Sequence, residues 1–197
     1  MKTAATRWRL LELQRHRRAI ETGVDLLDRK REGLLRALAQ RTRQADDSRR
    51  RLTEALAAAR DALDSAVVEI GDAAARAATV AQVPFPEVLQ QEEAVVGVRV
   101  VRLVPPRYDA RVQYGPGGTS AALDEAARRF AALMPEVLTL AQEERAARTI
   151  RRGLRRTTRT SNALKAVLLP AVDADIGAVA SGLEEEEREE AVRWRLR

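Results

Sequence analysis

The chain has 197 residues, a net charge of +6, 32% charged residues and only 3% aromatic residues. The absence of cysteine excludes a disulfide framework and a thiolate metal site, and the shortage of bulky aromatic side chains argues against a rounded globular core. No uninterrupted apolar run approaches the roughly 18 residues that span a bilayer, and the arginine-rich N-terminal stretch does not resemble a signal peptide. We therefore expect a soluble, cytoplasmic protein.

Charge is distributed unevenly along the chain. Residues 1–60 carry +8, residues 61–120 carry −3, residues 121–160 carry +4 and residues 161–197 carry −3. Alternating basic and acidic stretches are typical of helices that lie side by side and form ion pairs, and they also leave open a basic surface that binds anions.

The first part of the chain, from about Ala4 to Ala81, contains no proline and predicts one helix of roughly 75 residues. Its apolar residues recur every seven positions in two series that lie three residues apart, as in the seam of a coiled coil. One series contains Leu10, Val24, Leu38 and Leu52, and the other contains Leu13, Ile20, Leu27 and Leu34.

A change of phase is predicted between Leu38 and Leu52. A four-residue step follows Leu52, whereas a three-residue step follows Leu10 and Val24. Insertion of four residues into a heptad pattern has this effect and locally unwinds the supercoil. We place it in the polar stretch 40–51, where side chains turned outward would offer a docking face.

Residues 82–119 differ from the helical segments. The run AVVGVRVVRLV, residues 94–104, predicts one strand, and RYDARVQYG, residues 107–115, predicts a second before a GPGG turn at 115–118. We expect a small lobe containing a β-hairpin.

A second helical pattern covers residues 120–197. Pro135 and Pro170 predict a kink or break near Met134 and another near Leu169. Folded back on each other, the two helices would make an antiparallel pair that brings the basic start beside the acidic residues 183–190. The predicted fold class is therefore mainly α: a long antiparallel two-helix coiled coil. Its predicted parts are an N-terminal helix (1–81), a β-hairpin lobe (82–119) and a C-terminal helix (120–197).

The sequence offers no phosphate-binding loop, dinucleotide fingerprint, zinc-protease motif or nucleophile elbow. We therefore predict no catalytic residue, no cofactor and no metal. The arginine clusters at 15–18, 49–51 and 151–159 leave an alternative function open, a basic coiled coil that binds nucleic acid or an anionic surface. Interleaved acidic residues and the lack of stacking aromatics favour a charged coiled-coil exterior instead.

Two segments resemble a known family. Residues 6–34, with Thr6-Arg7, Leu10-Leu11, Gly23, Leu26-Leu27, Lys30-Arg31 and Leu34, resemble the N-terminal signature of the D subunit of V/A-type rotary ATPases from archaea, bacteria and vacuoles. Residues 155–176, with Asn162-Ala163-Leu164 and Pro170, resemble the C-terminal signature, and residues 183–189 resemble the charged stretch that follows it. Three places depart from the family: it often has Lys at Asp28, Arg-Val at Thr160-Ser161, and Glu at Lys165.

The resemblance implies a non-catalytic rotor axle that transmits torque between a hexamer of catalytic A and B subunits and the ion-translocating ring in the membrane. The paired termini would enter the hexamer. The other end would meet the rotor F subunit and the adaptor on the membrane ring, and the F subunit would lie against residues 38–60, 135–160 or the lobe. The protein would lie at the membrane as a peripheral, cytoplasmic part of the complex. The expected partner-binding residues are Arg7, Arg15, Arg17, Arg18, Lys30, Asn162, Arg193 and Arg195.

Overall fold

The structure, a computed structural model, describes residues 6–80, 87–104 and 120–195. Its elements in chain order are helix α1 (Arg7–Ile70), helix α2 (Asp72–Val80), strands β1 (Leu89–Val95) and β2 (Val98–Val104), helix α3 (Ala121–Ala163), a π-helix (Leu164–Leu168) and helix α4 (Leu169–Arg195). The mainly α class with a small antiparallel β-hairpin is confirmed.

The chain divides into two compact units. We call residues 1–35 with 152–197 the terminal unit, and residues 36–151 the inner unit. Within each unit, helix α1 lies antiparallel to the C-terminal helical segments. Arg7 and Asp28 pair with Glu187 and Lys165 in the terminal unit, and Arg49 and Ala58 contact Glu144 and Arg129 in the inner unit. Pairing residues 20–34 with 164–176 predicts that the numbers of paired residues add up to about 195, and the observed pairs add up to about 190 in each unit.

Helix α1 is shorter than predicted, since it ends at Ile70 rather than near Ala81. Gly71 adopts a left-handed backbone conformation with φ of 81°, which glycine reaches without a steric penalty, and its N–H still donates to the carbonyl of Val67. Helix α2 then starts at Asp72, and its Ala78 packs with Ala66 and Leu123 in one core cluster of the inner unit.

The predicted change of phase in α1 stays a prediction. Up to Ser48 the buried residues follow two seven-residue series, and beyond Ser48 only Ala59 and Ala66 of the first series are buried. One series is Val24, Ala45, Ala59 and Ala66, and the other is Leu13, Ile20, Leu34 and Ser48. In the last turn Ile70 packs against a core cluster while Glu69 is exposed, as the shifted pattern predicts. The partner of the stretch 38–52 is predicted near residues 140–160. Arg41 and Arg49 contact Glu143 and Glu144 within that range, and Arg51 contacts Glu136 just outside it.

A change of phase occurs in the C-terminal helical segment. The buried residues Thr157 and Ser161 predict inward positions at 168 and 171, yet Leu169 and Val172 are the residues that turn inward. The π-helix absorbs the extra residue, and the N–H of Leu169 donates to the carbonyl of Leu164, five residues earlier. Pro170 follows at once. A proline cannot donate a backbone hydrogen bond and crowds the carbonyl four residues before it, so the widened turn relieves both problems.

Helix α3 continues through Pro135 from Ala121 to Ala163, so the predicted break near Met134 is absent, and the kink predicted there stays a prediction. The expected disturbance near Leu169 is present as the π-helix.

The β-hairpin is more compact than predicted. The run 94–104 is not one strand, because Val95 pairs with Val98 across a two-residue turn, and Val96 and Gly97 both have positive φ. This is the geometry of a tight turn whose twist suits paired strands, and glycine at its second position favours it. The second predicted strand at 107–115 and the GPGG turn lie outside the described residues.

A polar network ties the hairpin to the inner unit. The carbonyl oxygen of the Gln142 side chain accepts a 2.8 Å hydrogen bond from the N–H of Leu103, and the Gln142 amide donates to Glu143 at 3.4 Å. Glu143, whose side chain is 7% exposed, accepts two hydrogen bonds of 2.9 and 3.1 Å from Arg41. This paired arginine satisfies the buried carboxylate, which would otherwise be costly to bury.

In the described part of the chain, one helical stretch, Ala121–Arg195, contains a segment long and apolar enough to cross a membrane by length and composition. The sequence expectation had excluded such a segment. A single segment of this kind is weak evidence, because helices of soluble proteins also meet the criterion.

Candidate partner-binding surface

The terminal unit is a paired helical segment that holds all eight predicted site residues. Helix α1 supplies Arg7, Arg15, Arg17, Arg18 and Lys30, whereas α3 supplies Asn162 and α4 supplies Arg193 and Arg195. Six of them are exposed, and Arg17 and Lys30 are half-buried. Residues from both ends of the chain therefore share one unit, as the resemblance implies.

The apolar core of the terminal unit lies around the π-helix. Ile20 and Val24 of α1 pack with Val172 of α4, and the half-buried residues Leu164, Leu169 and Ile176 pack against this cluster. Burial of side chains of this size contributes about 1.5–3 kcal/mol each, so this cluster joins α1 firmly to the C-terminal segments.

Ion pairs across the unit follow the same antiparallel order. Arg7 pairs with Glu187 at 2.9 Å, and Arg17 pairs with Asp173 at 2.7 Å. The hydrogen bond and the charge of Asp173, together with the charge of Glu21, raise the pKa of Arg17, which is therefore cationic at any physiological pH.

The three departures from the family signature meet in one contact. Asp28 accepts hydrogen bonds from the hydroxyl of Ser161 at 3.0 Å and from the amine of Lys165 at 2.7 Å. These two bonds, that from Lys165 foremost, lower the pKa of Asp28. The resemblance implies that the family often has Lys at position 28 and Glu at position 165, the reverse of the charges that pair in this chain.

The structure does not gather the predicted residues into one cluster. Arg7 and Arg17 are neutralised by the other helix, and Arg193 pairs with Glu189 on its own helix. No hydrogen bond or ion pair engages the side chain of Arg15, Arg18, Asn162 or Arg195 within the described ranges 6–80, 87–104 and 120–195. Their arrangement suits contacts along a surface rather than a chemical site.

The sequence analysis did not predict an exposed apolar surface at the end of the terminal unit that is formed by the start of α1 and the end of α4. Trp8 is 71% exposed and Trp194 is 77% exposed, and Leu11 and Val192 are also largely exposed. Arg7 pairs with Glu187, so α4 continues for two further turns beyond the described start of α1. Exposed tryptophans gain most from burial in a partner. Their positions outside the heptad seam were the available signal.

Comparison with known proteins agrees with these features. The family profile for the D subunit of ATP synthase matches residues 9–196 of the chain. The D subunit of the A-type ATP synthase of Haloarcula marismortui is 32% identical over 193 residues, which cover 96% of this chain and 84% of that protein. The D subunit of the V-type ATP synthase of Thermus thermophilus is 31% identical over 192 residues, which cover 98% of this chain and 86% of that protein. With the antiparallel terminal unit and both end signatures in place, the chain belongs to the family of ATP synthase D subunits.

Proposed function

We propose that this chain is the central rotor stalk of a V/A-type ATP synthase and carries torque between the A/B hexamer and the ion-translocating ring of the membrane. The observation that carries the proposal is the terminal unit, in which α1 is joined to α4 by a shared core and by ion pairs from Arg7 and Arg17. Two helices locked together resist twisting better than one, as an axle requires.

The chain acts on the catalytic subunits without performing catalysis itself. A shaft changes the state of a catalytic interface only when its contacts with successive interfaces differ. The terminal unit offers such differences, because one helix presents Arg7, Arg15 and Arg18 and the other presents Arg193, Trp194 and Arg195.

The partners are the A and B subunits at the terminal unit, and the rotor F subunit and the membrane-ring adaptor at the inner unit with its hairpin. The complex holds the chain on the cytoplasmic face of the membrane as a peripheral component. The F subunit would lie against residues 38–60 or 135–160, or on the hairpin lobe. The alternative function in nucleic-acid binding is not favoured by the family membership.

The exposed tryptophans test the proposal. Trp8→Ala with Trp194→Ala should weaken binding of the purified chain to a reconstituted A/B hexamer by about 2 kcal/mol or more, because truncation of an interface tryptophan costs that much. The melting temperature of the isolated chain should stay unchanged, since both side chains are largely exposed. Calorimetric titration and thermal unfolding measure the two quantities.

The matched control is Val68→Ala, which truncates an apolar side chain that is 86% exposed in the inner unit. It should leave hexamer binding unchanged. Equal affinities of the wild type and the double tryptophan variant would contradict the placement of the chain ends inside the hexamer, and ATP hydrolysis by the purified chain alone would contradict its role as a non-catalytic component.

A further inference from the structure

Four exposed arginines of α3 form one continuous face in the terminal unit. Arg155, Arg156 and Arg159 follow Arg152 by three, four and seven residues, which places all four on one side of a helix. The seam residues Thr157 and Ser161 are buried on the other side. We call Arg152, Arg155, Arg156 and Arg159 the arginine face.

The arginine face is not neutralised by the chain itself. None of its four guanidinium groups forms an ion pair or hydrogen bond with any residue in the parts of the chain that the structure describes. Along the helix, the nearest carboxylates are Glu144 and Asp173, both more than two turns away. Glu144 pairs with Arg49 and Arg148, and Asp173 pairs with Arg17.

Several other exposed arginines pair with a carboxylate three or four residues away on their own helix, as Arg129 does with Glu125, Arg188 with Glu184, and Arg193 with Glu189. Others, Arg15 and Arg18 among them, have no such partner among the described residues. In the arginine face the positions three or four residues away hold further arginines. Like charges at these spacings repel each other and weaken the helix, so the face contributes nothing to the chain's own stability.

We propose that the arginine face docks on a carboxylate-rich surface of a partner protein. This inference rests on the proposed role of the chain as a stalk. Arginine binds carboxylates in a planar, two-pronged geometry and is common in protein interfaces. The four side chains cover about 10 Å along the helix, which matches two turns of a facing helix with acidic residues at the same spacing.

Features of the terminal unit favour a protein over a nucleic acid or a lipid surface as the partner of the arginine face. The same unit exposes Leu26 and Leu35, which gain from contact with apolar protein groups and gain little from a phosphate backbone. No aromatic residue lies between Phe130 and Trp194, so no side chain could stack on bases beside the arginines.

The experiment replaces all four arginines by glutamine, which keeps the helix propensity and removes the charge. The variant R152Q/R155Q/R156Q/R159Q is compared with R50Q/R76Q/R128Q/R188Q, which loses the same charge from arginines that pair within their own helices. Affinity for the reconstituted, nuclease-treated A/B hexamer is measured at low and at high salt.

The arginine-face variant should bind roughly ten- to a hundred-fold more weakly at low salt, as expected for four lost surface ion pairs, and its affinity should depend less on salt. The control should change by less than about threefold. The isolated arginine-face variant should melt no lower than the wild type. A clear loss of thermal stability would show that the arginines serve the fold of the chain and would overturn the proposal.

A second variant identifies the contact. In R152K/R155K/R156K/R159K, the lysine amines can be joined by a carbodiimide to carboxylates that they touch, and the expected cross-links run to an acidic segment of a partner protein. Cross-links confined to this chain, or tighter binding to a DNA duplex or to anionic phosphatidylglycerol vesicles than to the hexamer, would overturn the inference. Unchanged affinity of the arginine-face variant would overturn the inference alone, whereas failure of the wild type to bind the hexamer would overturn the proposed function and the inference with it.

Discussion

Asp28 shows how a single side chain can preserve an interaction while its sequence signature changes. It pairs with Lys165 and Ser161, and these are positions at which the chain departs from its family. When read along the sequence, the departures looked like three unrelated changes. The structure joins them, because the antiparallel pairing brings position 28 beside positions 161 and 165. Contacts of this kind cannot be derived from periodicity alone, since periodicity places a residue on a face without naming its partner.

A charge exchange tests this pair. Asp28→Lys alone should lower the melting temperature, because it sets two lysines opposite each other. Adding Lys165→Glu should restore the melting temperature, because the pair then carries the charges of the family pattern. Thermal unfolding of the two single variants and the double variant measures the coupling, and Asp175→Lys, at an exposed position of α4, serves as the control. Additive effects in the double variant would show that the two residues act independently.

The pH dependence of stability follows from the lowered pKa of Asp28. A carboxylate with a lowered pKa in the folded state contributes stability above its ordinary value of about 3.9, and that contribution is lost as the pH falls toward the lowered pKa. The stability difference between the wild type and Asp28→Asn should therefore be constant near neutral pH and should shrink below about pH 4. A difference that does not change with pH would contradict the role of the charge.

At the scale of elements, the π-helix satisfies both the backbone restriction that Pro170 imposes and the packing of the apolar core. Pro170 disfavours a regular turn at this point, and the apolar residues Leu169 and Val172 must still face Ile20 and Val24. One additional residue in the turn satisfies both conditions. The exposed residue Val167 lies within this turn and contributes little to the core.

Deletion of Val167 combined with Pro170→Ala should convert the π-helix into a regular α-helix and keep the seam aligned. The variant should be at least as stable as the wild type in denaturant unfolding. The control deletes Ala174, an exposed residue of α4, and turns Ile176 and the residues after it away from the seam. This control should lose about 2 kcal/mol or more. Equal losses in the two deletion variants would show that the π-helix is not where the extra residue is absorbed.

The prediction of elements from sequence succeeded where large apolar residues recur and was less precise where small residues take their place. Leu13, Ile20 and Leu34 marked the seam of α1 clearly. Ala45 and Ser48 are buried in the same seam, although their small side chains give only a weak apolar signal in the sequence. The π-helix could not be foreseen, because Leu164–Leu168 has an ordinary helical composition and only the packing partner reveals the extra residue.

At the scale of the whole molecule, the two units differ in the length of chain that their contacts enclose. Arg129 and Ala58 of the inner unit are 71 residues apart, and Arg7 and Glu187 of the terminal unit are 180 residues apart. Closing the longer loop first costs about 0.8 kcal/mol more in chain entropy. Formation of the inner contacts also brings the remaining helical segments together, so pairing should proceed from the inner unit outward.

Hydrogen exchange followed by mass spectrometry tests this order. In the isolated chain, amides of α1 and α3 in the inner unit should exchange more slowly than those of α1 and α4 near the chain ends, because the ends open without disturbing the inner contacts. Binding of the A/B hexamer should then slow exchange at the ends. Slower exchange at the ends than in the inner unit of the free chain would contradict outward pairing.

The antiparallel pairing within each unit restricts how sequences of this family can change in length. A residue gained in one helix displaces the contacts that follow it in its unit unless the opposite helix gains one as well or a widened turn absorbs it. The π-helix at Leu164–Leu168 is such a widened turn, because it accommodates one unmatched residue while the contacts on both sides remain aligned. Relatives with an uninterrupted α-helix at this point should therefore carry one residue fewer between the positions that correspond to Ser161 and Val172.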